Sequence, residues 1–389
     1  MKILQIIYES FGNPYGFGGA GVRAYEIYKR LKDRHDITLL CMKYPGARDR
    51  EVEGLRHVFV GTESRSLTKS VLAYTVMAAR YVMKHGDDFD LIVENFLPTT
   101  PFFSTLLTKT PVILQVQGIM EGHYFKKFNL LYSLPMHFSE KYYPFLYDKF
   151  IFVSPVTREK LLIQTKRNVA RCDVIPNGVN EDLLREVPTD GDYILFFSRI
   201  DAYTKGLDIL LSAFGAISPR YPDIRLVFAG YEFDSFAGIT SSLPASVKNK
   251  VEYAGFITGE EKKRLLAGAA MVVLPSRHES SPISILEAAA CGKPLIVSDI
   301  AELKFVAENN FGVDFPSGSA EGLKEEIERL LSDSGLRHAL GAEGREFARK
   351  CLWGPVAAEF ENVLQLTADE KKIEEKRCRP GAKGETGGI

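Results

Sequence analysis

The chain has 389 residues, 45% hydrophobic and 25% charged, which is typical of globular proteins and predicts two or three domains. Forty-nine basic against fifty acidic residues give a formal charge of -1, so we expect no nucleic-acid partner, since such proteins usually carry a basic surplus. The five cysteines are scattered without a CxxC pair, which excludes a disulfide scaffold and a zinc ribbon and indicates a reducing cytosol.

Apolar runs are too short for a membrane span or a signal peptide. The longest, at 71–83, is interrupted by Arg80 and is shorter than the roughly 18 residues that cross a bilayer. The first apolar run ends at Glu9, before the length of a signal peptide is reached. We therefore expect a cytoplasmic protein.

In the first half, apolar runs of strand length alternate with amphipathic helical segments. The pattern predicts strands at 3–8, 37–42, 91–94, 112–115 and 150–153, and a helix at 21–31. Repeated strand–helix–strand units with short connections are typical of a parallel sheet that helices cover on both faces.

A turn-rich break at 175–180 and 187–192 precedes a second series of the same kind. It predicts strands at 193–197, 225–229, 271–274 and 294–297, and helices at 206–217, 260–269 and 282–290. Two such series predict an α/β protein with two doubly wound, Rossmann-like domains facing across a cleft. After a helical pattern at 356–367, the charged and glycine-rich end predicts a flexible tail at 376–389.

Glycines near the N-terminus match the GxGxxG pattern of dinucleotide-binding dehydrogenases, from Gly16 to Gly21. In that fingerprint the glycines directly follow the first strand and an acidic residue ends the second. Here the strand ends near Tyr8, and Asp36 precedes the second strand. We favour a loop that approaches a ligand closely at a helix N-terminus, with a flexible surface loop as the alternative.

Two cations flank the start of a helix in the second half. Arg199 follows a predicted strand, and Lys205-Gly206 opens the next helix. Fixed positive charge beside free amides suits a diphosphate, although such a pair also occurs on solvated surfaces. The next strand ends in a small residue, Gly230, and strands at the mouth of a ligand cleft often end in this way.

Two glutamates eight residues apart follow a later strand. Glu287 lies in an alanine-rich helix and needs a partner there, because burying an unpaired charge is costly; ribose hydroxyls would serve. Glu279 lies in the loop before that helix, where a surface salt bridge would also explain it. The amides of Ile283 and Ser284 at the helix start can face a phosphate.

These segments together resemble the retaining GT-B glycosyltransferases of glycosyltransferase family 4. The resemblance rests on the E-x7-E spacing, the R-x5-K-G segment, Ile-Pro-Asn-Gly-Val at 175–179, the early Gly-Gly loop and Trp353-Gly354-Pro355, and covers residues 1 to 367. It implies an acceptor-side domain at 1–180, with a helix at 352–375 packing back on it. It also implies a nucleotide-sugar donor domain at 181–351.

The resemblance assigns roles to the charged residues. Arg199 and Lys205 would clamp the donor diphosphate and stabilise the leaving nucleotide. Glu287 would hold the ribose, and Glu279 the hydroxyls of the transferred sugar.

It assigns roles to backbone positions as well. Ile283 and Ser284 would offer amides to the donor. Gly18 and Gly19 would close over it from the first domain, and Gly230 lies at the mouth of its cleft. The family needs neither a metal nor a cofactor, and we interpret the Asp-x-Asp pairs at 88–90 and 190–192 as structural.

One residue departs from the family. Many relatives carry a histidine after the strand at 112–116, where this chain has Gln117. Glutamine can donate to a sugar hydroxyl but cannot act as a general base. His123 is the alternative, or the leaving phosphate itself takes the acceptor's proton.

Residues 119–150 hold ten aromatic residues among four lysines: Lys126, Lys127, Lys141 and Lys149. Such a cationic, aromatic segment could contact the anionic inner face of the cell membrane and reach a lipid-linked acceptor. An aromatic core with a sugar-stacking surface is the alternative.

The sequence therefore predicts a retaining, metal-independent transfer of a hexose from a UDP- or GDP-sugar to a glycan or glycolipid acceptor. The alternatives are a sugar-nucleotide epimerase, a phosphorylase, or a non-catalytic protein that binds nucleotide sugars.

Overall fold

A computed structural model describes residues 1–15, 17–166 and 171–378 of the chain. The backbone forms two separate sheets, one of eight strands and one of six, each with helices on both faces. This is the two-domain α/β architecture of the GT-B fold, as the sequence predicted.

In the first sheet, the N-terminal strand lies near the middle. Its strands are β1 (Lys2–Ile6), β2 (Asp36–Met42), β3 (Arg50–Val52), β4 (Leu55–Val60), β5 (Leu91–Phe96), β6 (Val112–Val116), β7 (Lys149–Phe152) and β8 (Arg171–Val174). They lie in the order β3-β4-β2-β1-β5-β6-β7-β8. All neighbours pair in parallel except β3, which runs antiparallel to β4.

Helices pack on both faces of this sheet. They are α1 (Gly19–Leu31), α2 (Leu67–His85), α3 (Ser104–Leu107), α4 (Tyr124–Lys127), α5 (Leu130–Tyr142) and α6 (Pro155–Thr165), with 3-10 turns at Gly86–Asp88 and Tyr143–Leu146. Successive residues of β1 point to opposite faces, so Ile3 packs with α1 and Leu4 with the α2 side.

The second sheet is entirely parallel. Its strands are β9 (Tyr193–Phe197), β10 (Arg225–Ala229), β11 (Val251–Gly255), β12 (Met271–Leu274), β13 (Leu295–Ser298) and β14 (Gly312–Phe315), in the order β11-β10-β9-β12-β13-β14. Its helices are α7 (Leu207–Ile217), α8 (Phe236–Ile239), α9 (Ala245–Lys248), α10 (Gly259–Gly268), α11 (Ile283–Ala290), α12 (Phe305–Glu308), α13 (Ala320–Ser332) and α14 (Ser334–Arg349). A 3-10 turn at Glu181–Arg185 precedes β9.

The last helix, α15 (Trp353–Cys378), returns to the first domain, as expected from the resemblance. Phe360 packs edge-on against Tyr28 of α1 at 5.8 Å between ring centroids, in the core that Trp353 also enters. The chain leaves and re-enters the first domain side by side, since Val179 pairs with Leu352.

The Ile-Pro-Asn-Gly-Val segment and the Trp-Gly-Pro segment meet at this crossing. A Cβ on Gly178 would lie 2.8 Å from the Trp353 ring, so only glycine lets the linker pass this close to the tryptophan. Two sequence segments that are 175 positions apart thus form one structural unit.

Element boundaries differ from the sequence prediction in physically clear ways. Gly206 and Pro282 stand just before α7 and α11 as N-caps, because Gly206 has φ +64° and Pro282 has ψ 118°, both outside the helical range. The helix α1 begins at Gly19 instead of residue 21. The α15 helix includes residues 376–378, which the sequence assigned to the tail; the rest of that tail, 379–389, lies outside the described residues.

Candidate active site

The candidate site lies at the carboxyl edge of the second sheet, where β9 is flanked by β10 and β12. The strand order reverses at this point, and open α/β sheets bind ligands in the crevice beyond such a reversal. The loops after the three strands contact one another: Ile200 N donates to Tyr231 O at 2.8 Å, and Arg277 N donates to Thr204 O at 2.9 Å. The predicted clamp and the first predicted glutamate therefore meet at this edge.

Two glycines allow these loops to pack so closely. Gly230 has φ +147°, and a Cβ there would lie 2.0 Å from the carbonyl oxygen of Ser198. Gly206 has φ +64°, and its Cβ would lie 2.0 Å from the carbonyl oxygen of Pro275. Both positions need glycine for backbone conformation and for space. Gly230 thus lets the loops after β9 and β10 pack against each other.

Arg199 extends from the loop after β9 and remains 46% exposed. Its Nη2 lies 2.9 Å from Oδ2 of the buried Asp201, and its guanidinium lies 5.3 Å from the centroid of the Phe233 ring. Coulombic attraction from Arg199 and a hydrogen bond from a nearby lysine outweigh the effect of burial and hold the pKa of Asp201 below its usual value. Arg199 is thus oriented and still accessible to an anionic ligand.

Lys205 and Glu279, for which the sequence predicted separate roles, form one buried ion pair. Lys205 Nζ lies 2.6 Å from Glu279 Oε1, and the side chains are 11% and 6% exposed. Ser276 Oγ donates to the same carboxylate oxygen at 2.7 Å. An ammonium group has three donors, so the bond to Glu279 leaves two for phosphate oxygens.

The N-terminus of α11 faces the first domain. The first amides of a helix have no partner within it, so those of Ile283 and Ser284 remain available to a ligand at the start of α11. A Cβ on Gly19 would lie 3.8 Å from Ile283 Cδ1, which brings the glycine loop of the first domain against the helix start. The predicted donor residues of both domains are therefore neighbours.

Glu287 has a protein partner that the sequence did not reveal. Its Oε1 lies 2.6 Å from Lys262 Nζ of α10, and the carboxylate is 12% exposed. Burial alone would lower the pKa of Lys262, but the charge and hydrogen bond of Glu287, with Asp182 nearby, raise it. A ribose would have to share this carboxylate with Lys262.

The glycine loop before α1 holds a carboxylate of the chain itself. Glu9 Oε2 accepts from the amides of Gly18 at 2.9 Å and Gly21 at 2.5 Å, and burial raises its pKa. These amides are the ones that would cradle a pyrophosphate in a dehydrogenase. Because Glu9 already accepts from these amides, the GxGxxG segment here stabilises its own loop and does not bind a dinucleotide. The first glycine of the pattern, Gly16, lies outside the described residues.

Gln117 follows β6 on the acceptor side of the cleft. Its amide nitrogen is buried, and within the part of the chain that the structure describes it has no hydrogen-bond partner. A Cβ on the adjacent Gly118 would lie 2.0 Å from Ser280 Oγ, so this loop touches the loop before α11. A buried amide nitrogen that has an unused hydrogen and lies next to the candidate nucleotide-sugar site suits a sugar hydroxyl as its acceptor.

His123 faces the second domain. Its ring lies 4.9 Å from that of His278, and Tyr203 OH lies 3.5 Å from its Nδ1. Burial lowers the pKa of both histidines, that of His278 to about 4, so the two rings face each other uncharged near neutral pH. His123 therefore packs across the cleft beside the site.

One cluster near this histidine pair has metal-ligand chemistry. Ligand atoms of Glu121, His278 and Glu302 lie within 4.8 Å of one another. Lys160 contacts both carboxylates, the second at 2.6 Å. Its ammonium group offsets one of the two negative charges that would attract a cation.

The two Asp-x-Asp pairs make contacts of their own. Asp88 lies near His85, Asp90 accepts from the amide of Lys2, Asp190 pairs with Arg337, and Asp192 pairs with Arg225.

The aromatic segment divides between core and surface. Tyr124, Tyr143, Tyr147 and Phe150 are buried, whereas the exposed members are Phe125, Phe128, Tyr132, Phe138, Tyr142 and Phe145, with Leu130, Leu131 and Leu134 beside them. Among the described residues, no helix combines the length and the apolar character needed to cross a bilayer.

Sequence comparison gives an independent result. The family profile described as Glycosyltransferase Family 4 matches residues 17–183, and that described as Glycosyl transferases group 1 matches residues 184–347. An uncharacterized glycosyltransferase of Methanocaldococcus jannaschii is 26% identical over 377 residues, which cover 95% of this chain and 100% of that protein.

Solved structures share the fold. Sucrose-phosphate synthase of Thermosynechococcus elongatus has a TM-score of 0.78 at 20% identity, covering 94% of this chain and 98% of that one. Anabaena Alr3699/HepE in complex with UDP-glucose has a TM-score of 0.72 at 17% identity, covering 94% and 99%. Since the two profiles together span residues 17–347, the chain belongs to glycosyltransferase family 4 and is a glycosyltransferase with the GT-B fold.

Proposed function

We propose that the protein transfers a hexose from a UDP- or GDP-sugar to a glycan or lipid-linked acceptor, with retention and without a divalent metal. The observation that carries this proposal is the convergence of Arg199, the Lys205–Glu279 pair and the N-terminus of α11 at one sheet edge. A diphosphate there would meet two cations and the free amides. The fold shared with HepE, solved with UDP-glucose, supports a nucleotide-sugar donor.

In this reaction the bond between the sugar C1 and the β-phosphate oxygen breaks while an acceptor oxygen bonds C1 on the same face. The acceptor proton passes to the leaving phosphate, so no protein base is needed in place of Gln117. Arg199 and Lys205 stabilise the charge that develops on the phosphate. Glu279 holds Lys205 in position and accepts from a sugar hydroxyl, while the buried Gln117 amide donates to one.

The nucleotide end of the donor lies toward α10 and α11. Glu287 accepts from the ribose hydroxyls with the oxygen that Lys262 does not contact. Gly18 and Gly19 cover the donor from the first domain, where Gly19 already lies against Ile283.

Nucleotide release from UDP- and GDP-hexoses, with and without EDTA, tests this function. Glu287→Gln keeps the shape of the side chain but removes the charge that holds Lys262, and we expect at least a tenfold loss of kcat/KM. Glu261→Gln, at an exposed glutamate of α10, is the matched control and should behave as wild type. Release that EDTA abolishes, or equal rates for the two variants, would contradict the proposal.

The same assay separates the alternatives. Binding of nucleotide without any turnover would indicate a non-catalytic relative. Sugar conversion without release of nucleotide diphosphate would indicate an epimerase. Formation of a sugar 1-phosphate from a glycan and inorganic phosphate, with no nucleotide sugar consumed, would indicate a phosphorylase.

We further propose that the protein works in the cytoplasm at the inner face of the cell membrane, through the exposed part of the aromatic segment. Leu131 is 76% exposed there, and Lys141 of the same helix, α5, is partly exposed. Exposed apolar side chains near a lysine match an anionic bilayer surface. Lys127 and Lys149 do not contribute, because Lys127 points into the cleft and Lys149 pairs with Glu370.

Sedimentation with anionic and with neutral phospholipid vesicles tests this contact. Leu131→Ser should weaken binding to anionic vesicles severalfold, while Val187→Ser, which is also 76% exposed but lies in the linker, should not. Equal binding of both variants, or binding that ignores lipid charge, would overturn the membrane proposal.

A further inference from the structure

A lysine of the first domain reaches across the cleft to the diphosphate clamp of the second. Lys127 ends α4, and its side chain is 13% exposed. Its Nζ contacts Oδ2 of Asp201, which lies in the R-x5-K-G segment and is fully buried. The neighbouring Lys126, on the same short helix, is exposed.

Asp201 connects this lysine to the clamp. The same oxygen, Oδ2, that accepts from Lys127 also accepts from Arg199 Nη2 at 2.9 Å. The other oxygen, Oδ1, accepts from the amide of Thr204 at 3.2 Å, which fixes the carboxylate to its loop. The orientation of Arg199 thus depends on a carboxylate that both domains hold.

An aromatic ring gives Arg199 and Lys127 a second common partner. Lys127 Nζ lies 4.2 Å from the centroid of the Phe233 ring, and Arg199 Cζ lies 5.3 Å from it. Cations are attracted to aromatic faces at these distances. Two like charges are therefore held side by side by one carboxylate and one ring.

We propose that Lys127 is a positioning residue of the transferase: by contacting Asp201 and Phe233 it aligns Arg199 for the donor diphosphate when the two domains are together. This inference rests on the proposed function of Arg199. It explains why a lysine from the acceptor-side domain is withdrawn from solvent at the donor clamp. An isolated salt bridge on the surface would not affect the alignment of Arg199.

The test compares Lys127→Met with Lys126→Met, because both remove one lysine charge from the same helix. We expect Lys127→Met to lower kcat/KM about ten- to a hundredfold, since misplaced catalytic groups have effects of that order. Lys126→Met should leave kcat/KM unchanged, and Lys127→Arg should retain most of the wild-type kcat/KM. Arg199 still pairs with Asp201 in Lys127→Met, so its melting temperature should fall by less than that of a variant that leaves a buried carboxylate unpaired. Lys126→Met and Lys127→Arg should melt within about 2 °C of wild type.

A double variant decides whether Lys127 acts through Arg199. If it does, adding Lys127→Met to Arg199→Gln should lower the rate little beyond Arg199→Gln alone. Losses that multiply, or a Lys127→Met rate equal to that of Lys126→Met, would overturn the inference.

Calorimetric titration with UDP and GDP separates this result from the proposed function. Wild type that binds nucleotide without turning it over would refute the transferase; the inference would then stand only if Lys127→Met weakened binding and Lys126→Met did not. Wild type that neither binds nor turns over would refute both.

Discussion

Replacing Lys205 by methionine removes an ammonium group from a nearly dry site and keeps the length of the side chain. Its partner Glu279 is 6% exposed, with Lys205 Nζ at 2.6 Å and the Ser276 hydroxyl at 2.7 Å. Breaking a buried ion pair by removing one partner destabilises a protein by about 3–5 kcal/mol, because the remaining charge has no compensation. The hydroxyl of Ser276 alone cannot replace a full positive charge.

Thermal unfolding measures this effect. For a domain of this size about 1 kcal/mol corresponds to roughly 2–4 °C, so Lys205→Met should lower the melting temperature by about 6–20 °C. Adding Glu279→Gln removes the stranded charge and should recover most of that loss. The double variant would then be folded yet inactive, which separates stability from catalysis.

Two outcomes would refute this reasoning. The first is a melting temperature of Lys205→Met within about 2 °C of wild type, which would mean that the Glu279 carboxylate is solvated. The second is additive destabilisation by the two substitutions, which would mean that the two side chains do not interact.

Two further predictions concern the first domain and its linker. Burial raises the pKa of Glu94 from 4.5 to about 7, so stability should fall as the pH rises through that interval, by about 3 kcal/mol for the 2.5-unit shift. Glu94→Gln should match wild type at pH 5 and exceed it at pH 8 in urea unfolding; equal stability at pH 8 would contradict this. Gly178→Ala places a Cβ 2.8 Å from the Trp353 ring and should destabilise by about 1–3 kcal/mol. Gly354→Ala, which meets no atom within 4 Å, should not, and equal melting temperatures would count against the close linker packing.

Local patterns predicted the elements but could not predict how they pair. Alternating apolar and helical segments identified both sheets, because helix and strand periods appear within a few residues. Five strands were not predicted, namely β3, β4, β8, β11 and β14. The strand β3 has only three residues, β8 is charged and half-buried, and polar residues or glycine interrupt the apolar residues of the other three. The extension of α15 over residues 376–378 was missed because Lys376 and Arg377 were assigned to the charged tail, although both residue types also favour helix.

The candidate site shows the same limit. Motif spacing located Arg199, Lys205 and Glu279 because they follow strand ends. Lys262 could not be paired with Glu287 in advance, since 25 residues and a strand separate them. The contact of Lys127 with its buried carboxylate joins two domains over 74 positions, and no local pattern encodes it.

The aromatic segment was ambiguous for another reason. Core and surface aromatic residues alternate in it without a regular period, and Pro135 lies inside α5. Only the packed structure separates Tyr143 and Tyr147, which hydrogen-bond the buried Glu94, from the exposed Tyr142.

Thermal unfolding against UDP, GDP, ADP and NAD, each with and without EDTA, tests the central claim most directly. A ligand at about 100 times its dissociation constant adds roughly 2.7 kcal/mol, or about 5–11 °C for a domain of this size. We predict that UDP or GDP raises the melting temperature and that EDTA leaves the rise unchanged, because Arg199, Lys205 and the amides of α11 hold the diphosphate. A rise with NAD alone, or one that EDTA abolishes, would contradict a metal-free nucleotide-sugar site.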